Sequence, residues 1–171
     1  MMDAMTRPLT GEPLALDLVN TQWMDQGRLA DLFDEPDGAE RWIADSGLPA
    51  VPGAREPLIT ARAALRAALG GDEEPLNDVL ARGARRPLLR DGAPVEELVL
   101  DSPEWLPAWV AAADLVRLRG ERAERIRKCA NPACVLWFYD VSKNGSRRWC
   151  SMEVCGNRAK TDRYQQRHRT A

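Results

Sequence analysis

Cys129-Ala130-Asn131-Pro132-Ala133-Cys134 and Cys150-Ser151-Met152-Glu153-Val154-Cys155 hold all four cysteines of this 171-residue chain. Fifteen residues separate the pairs, and the first 128 residues contain none. Two close cysteine pairs on a hairpin-sized spacer suit a tetrahedral all-sulfur zinc site, because each tight turn supplies two ligands and the spacer brings the turns together. The same residues could form two disulfides. A disulfide scaffold normally accompanies a secretory signal, and residues 1–11 (MMDAMTRPLTG) carry no apolar run of that length. One structural zinc on Cys129, Cys134, Cys150 and Cys155 is therefore the expectation.

The elements around the cysteines follow from local pattern. Asn131-Pro132 favours a turn inside the first pair. Residues 135–139 (VLWFY) are strand-forming, Asn144-Gly145 supplies a turn, and residues 147–150 (RRWC) read as the returning strand. Ser151 can cap a helix from about Met152 to Arg167. Knuckle, hairpin and helix together resemble a treble-clef arrangement. A segment of this size buries too little surface to fold alone, so metal would supply much of its folding free energy.

The preceding residues read as mostly helical. Helices are expected over 14–21, after Asp34 to Gly47 with Trp42 and Ile43 inward, from Pro57 to Gly70-Gly71, over 75–82, and over 103–118 with Gly120 closing the last. Asp91-Gly92 between 88–90 and 95–100 predicts a hairpin. The fold class is thus mostly α with a small β-hairpin over 1–120, followed by a treble-clef-like four-cysteine zinc finger over 121–171. No run approaches a membrane span, and the cytosol is the expected compartment.

The net charge of −2 conceals a split. Residues 1–120 carry 12 basic and 21 acidic side chains, net −9, and residues 121–171 carry 12 and 5, net +7. A basic module beside an acidic one points to a polyanionic partner. Arg147 and Arg148 on the expected hairpin, and Arg158, Lys160, Arg163 and Arg167 on the expected helix, are the candidate nucleic-acid contacts. Lys160, Arg163 and Arg167 would share a helical face, and that helix has little apolar stripe to hold it in a core. Phosphate contacts would give salt-dependent affinity, with one or two arginines reaching base edges.

Other features carry two readings. Trp137-Phe138-Tyr139 could stack on unpaired bases or fill a small core under the metal. His168, the only histidine, could replace a sulfur ligand, but four thiolates already complete the shell. A closed shell leaves no position for a reactive water, and residues 1–128 contain no histidine, phosphate loop or nucleophile elbow, so no enzyme is expected. Asp17 and Asn20, one turn apart, could line a polar ligand pocket or make buried hydrogen bonds.

The cysteine pairs, Trp137-Phe138-Tyr139-Asp140, Arg147-Arg148-Trp149-Cys150-Ser151-Met152 and above all Cys155-Gly156-Asn157-Arg158 resemble the CGNR zinc-finger family, named for that tetrapeptide. Leu16-Asp17-Leu18-Val19-Asn20-Thr21 resembles the start of the ABATE domain that commonly precedes this finger. The resemblance implies zinc on the four cysteines and a bacterial transcription regulator. DNA is then the expected partner, with a small-molecule effector, and a homodimer or a transcription-machinery partner would make up for one module's small contact area. The rival reading is a zinc-stabilised module that docks an acidic protein surface.

Overall fold

The computed structural model describes residues 6–157. The expected terminal helix beyond Asn157, with Arg158, Lys160, Arg163, Arg167 and His168, lies outside them. The chain divides into two compact units, one of residues 1–32 with 118–171 and one of residues 33–117.

The first unit begins with helix α1 (Leu14–Val19), as expected, and Ala15, Leu16, Leu18 and Val19 are buried. Strands β1 (Gln22–Asp25) and β2 (Arg28–Asp31) follow as an antiparallel pair that local pattern did not suggest. Their two-residue turn needs positive φ at both positions, supplied by Gln26 (46°) and Gly27 (82°). Glutamine rarely adopts that conformation, so the usual Asn-Gly or Asp-Gly cue is missing.

The second unit contains α2 (Gly38–Asp45), α3 (Arg55–Leu69) and α4 (Glu74–Leu80), close to the expected spans. Phe33, Trp42, Leu58 and Leu65 fill its core. The Asp91-Gly92 hairpin is longer than expected, pairing β3 (Gly83–Arg90) with β4 (Ala93–Leu100). Asp91 (φ 52°) and Gly92 (φ 79°) form its mirror-image turn. Counting from that turn, Pro87 and Pro94 fall at positions whose N–H would face outward, so each free edge lacks a donor where another strand would pair.

Helix α5 (Leu106–Arg122) corrects a boundary. A 3-10 turn, Pro103–Trp105, precedes it, and the helix passes through Gly120 rather than ending there. Gly120 is absent from the positive-φ residues that left-handed helix caps use.

The finger strands are β5 (Ile126–Lys128) and β6 (Trp137–Tyr139), paired antiparallel across the first cysteine knuckle. Residues 147–150, expected to be the returning strand, form no ladder. Their polar groups are committed elsewhere: the Arg147 N–H donates to Asp140 Oδ2 (3.0 Å), the Arg148 carbonyl accepts from Ala130 N (2.8 Å), and Cys150 N donates to Cys129 Sγ (3.4 Å). The hairpin encloses the first knuckle instead of following it.

Candidate metal centre

The first knuckle is an Asx turn. Asn131 Oδ1 accepts from Ala133 N (3.0 Å), its carbonyl accepts from Cys134 N (2.9 Å), and Pro132 lies between them. Cys129 N bonds Leu136 O (3.0 Å), so the β5–β6 ladder sets the base of the turn. The second knuckle starts at Ser151, whose Oγ accepts from Val154 N (3.4 Å) at the head of a π-helical turn, Met152–Gly156. The Ser151 carbonyl accepts from both Cys155 N (3.1 Å) and Gly156 N (3.0 Å). The serine thus caps a helical turn as expected, and that turn carries Cys155 inward.

These turns bring Cys129, Cys134, Cys150 and Cys155 together, all buried, with every Sγ within 4.8 Å of the others. Cys134 and Cys150 sulfurs lie 3.8 Å apart and those of Cys150 and Cys155 3.5 Å. A tetrahedron with Zn–S bonds of about 2.3 Å has edges of about 3.8 Å, whereas a disulfide needs about 2.05 Å. The spacing therefore suits one tetrahedral ion and excludes disulfides.

Thiol chemistry points the same way. Without a cation the sulfurs must share protons. Hydrogen bonds from Cys134 and Cys150 pull the Cys129 thiol down to about 2, and the bond to Cys129 pushes Cys134 up to about 12. Cys150 is also raised, chiefly by its bonds to Cys129 and Cys134. Four adjacent thiolates need a cation, and a bound zinc would displace the remaining protons and cross-link the knuckles. Several donors face the sulfurs: the backbone N–H groups of Cys150 and Asn131 toward Cys129, that of Leu136 toward Cys134, and Asn131 Nδ2 toward Cys155 (3.5 Å).

Asp140 organises the loop behind the site. It is buried, accepts from Ser142 N (2.9 Å) and Arg147 N (3.0 Å), and lies 3.7 Å from Arg127 Nε. Its carboxyl is held below the usual range, first by the Ser142 side-chain hydrogen bond. Arg125 donates to the carbonyls of Asp140 (2.9 Å) and Ser142 (2.6 Å). Sequence reading assigned neither residue a role; the cue available was that Asp140 is the one acidic residue between the two cysteine pairs.

The other candidates separate by environment. Arg147 is half-buried and committed within the fold, donating to Trp149 O (3.0 Å), Cys150 O (2.6 Å) and Glu12 Oε1 (3.4 Å), with its guanidinium 4.2 Å from the Phe138 ring centroid. Arg148 is exposed, 5.4 Å from the Trp149 ring. Phe138 is fully buried, with Trp137 and Tyr139 half-buried beside it. Asp17 pairs with Arg7 (2.6 Å) and accepts from Gly11 N (3.0 Å). Asn20 is fully buried, its amide bonded to the Trp137 backbone.

Comparison with known families agrees with this geometry. The family described as "Putative stress-induced transcription regulator" (ABATE) matches residues 12–99, more than half of the sequence. The chain belongs to the ABATE family. A CGNR zinc finger matches residues 125–168 and contains the cysteine cluster, which is its single zinc site. No match was found among curated proteins. The ABATE match starts at Glu12, so its first residues, 12–32, lie in the same compact unit as the finger. Among the described residues, no helix of this ABATE protein is long and apolar enough to cross a membrane.

Proposed function

We propose that this ABATE protein is a bacterial, cytoplasmic DNA-binding transcription regulator in which the zinc finger meets the duplex. The observation that carries this reading is the +7 charge of residues 121–171 together with the exposure of Lys128, Lys143 and Arg148. Such cations neutralise phosphates and release counterions, and zinc would hold their backbone in place. Arg158, Lys160, Arg163 and Arg167 add four more basic residues later in the sequence. Arg147 contributes by bracing the second knuckle rather than by meeting phosphate.

The unit of residues 33–117 is the proposed site of sensing or association. A concavity of about 640 Å³ there, lined by Ala63, Ala67, Val79, Arg82 and Trp105 among others, is of small-ligand size. The proposed role of the metal is structural, since four sulfur ligands would leave a zinc ion no coordination position for a reactive water.

The test compares Ala variants of Arg148, Arg158, Lys160, Arg163 and Arg167 on one duplex selected from genomic fragments and one scrambled duplex. Phosphate-contacting residues weaken both alike, and a base reader costs about 1–3 kcal/mol on the selected duplex alone. The exposed Met152 and Val154 beside the knuckle support the rival, docking of an acidic protein. Unchanged affinity in all five variants would overturn the DNA reading in its favour.

A further inference from the structure

Strand β6 has two edges. One pairs with β5; the other, where 147–150 might have added a strand, is covered by side chains from the beginning of the chain. Asn20 Nδ2 donates to Trp137 O (2.8 Å), and Trp137 N donates to Asn20 Oδ1 (3.0 Å). Tyr139 N donates to Glu12 Oε2 (2.8 Å). These two residues satisfy three of the backbone groups that a neighbouring strand would otherwise take.

Glu12 reaches further. Its second oxygen receives Arg147 Nη1 (3.4 Å), while Arg147 Nη2 donates to the carbonyl of Cys150 (2.6 Å). Glu12 is thus linked through one guanidinium to the backbone of a zinc ligand. The carboxylate is nine-tenths buried, and the arginine stacks on Phe138 at the centre of the finger core. Asn20 has no exposed surface, so these contacts belong to an interior.

We propose that residues 6–32 are a structural part of the zinc finger, with Asn20 and Glu12 acting as positioning residues for the metal site through the edge of β6 and through Arg147. The family matches divide the chain after residue 99, whereas these hydrogen bonds join Glu12 and Asn20 to the finger. Zinc binding and docking of the N-terminal segment are then linked, each favouring the other.

The experiment uses the full chain. Zinc affinity is measured by competition with a chromophoric chelator, and backbone hydrogen exchange is followed in the same samples. Groups that orient metal ligands from outside typically change affinity about 10–100-fold. Asn20→Ala and Glu12→Ala should each weaken zinc binding at least several-fold on that scale, with exchange over 33–117 unchanged. Glu12→Gln, which keeps an acceptor for Tyr139 N, should recover part of the loss. Chelating zinc from the wild type should speed exchange at residues 12–20. Zinc affinity within twofold of wild type in both Ala variants, or unchanged exchange at 12–20 after chelation, overturns the proposal. If Asn20→Ala gives no soluble protein, the Glu12 pair and the wild-type chelation decide by the same criteria.

Discussion

The side-chain amide of Asn20 pairs with both backbone polar groups of Trp137, 117 positions later in the chain. The arrangement imitates one rung of a β-ladder, and Asn20 itself is fully buried. Asn20→Ala would leave a buried N–H and a buried carbonyl without partners. At about 1–3 kcal/mol for each group, the finger unit should lose about 2–6 kcal/mol. Denaturant unfolding followed by tryptophan fluorescence checks this, and a loss below about 1 kcal/mol would contradict it.

Arg147 and Arg148 are neighbours with opposite expected behaviour. Arg147→Ala removes bonds to two carbonyls and leaves Glu12 with a buried, unpaired charge. It should cost about 2 kcal/mol or more of finger stability. Arg148→Ala should leave stability within about 0.5 kcal/mol of wild type, as exposed sites usually do. It should instead reduce the salt dependence of DNA binding by about one phosphate contact. Thermal unfolding and binding titrations on both variants test the contrast. Equal stability loss in the two would show that exposure does not separate their roles.

Two glycines differ in what a methyl group would strike. A Cβ at Gly83 would lie 2.5 Å from Leu100 Cδ2, 2.9 Å from the Val99 carbonyl and 3.0 Å from Trp109 Nε1. The carbonyl belongs to the paired strand, and Trp109 Nε1 is held by Leu80 O (2.9 Å), so neither yields easily. Gly83→Ala should therefore cost about 1–3 kcal/mol. At Gly156 the nearest atoms are Met152 Sδ (2.8 Å) and Cε (2.9 Å), the end of a flexible and exposed side chain. Gly156→Ala should be the milder change. Melting temperatures of the two variants give the order directly.

Glu12 supplies a pH dependence with a definite sign. Burial raises its carboxyl above the ordinary value, outweighing the Tyr139 N–H bond and Arg147, which lower it. Between the unfolded value of about 4.3 and the higher folded value, the native state holds the extra proton. Stability from this group therefore falls as pH rises across that window, and Glu12→Gln should flatten the fall. Carboxyl NMR titration should place the Glu12 midpoint above about 4.3, and Arg147→Leu should move it higher. A midpoint below the ordinary value would contradict this balance.

The metal site was legible because its signal is local: each cysteine pair closes its own turn, and Asn131 and Ser151 stand where those turns need them. Helices α1 to α4 were legible from apolar spacing and from Gly47 and Gly70-Gly71. Three features had no local signal. The β1–β2 turn uses Gln26 in place of asparagine or aspartate. Residues 147–150 look like a strand, yet their polar groups serve the Asp140 loop and the metal knuckles. The partners of Asn20 and Glu12 lie more than 100 residues away, so nothing near either residue reveals that its side chain caps the edge of β6.

The most direct test of the functional account is a fluorescence anisotropy titration of duplex DNA with zinc-loaded protein at two salt concentrations, beside Cys155→Ser. The account predicts binding at low salt that weakens steeply at higher salt, and loss of both zinc and binding in Cys155→Ser while residues 33–117 stay folded. Absence of binding at low salt, or equal binding by Cys155→Ser, would contradict it.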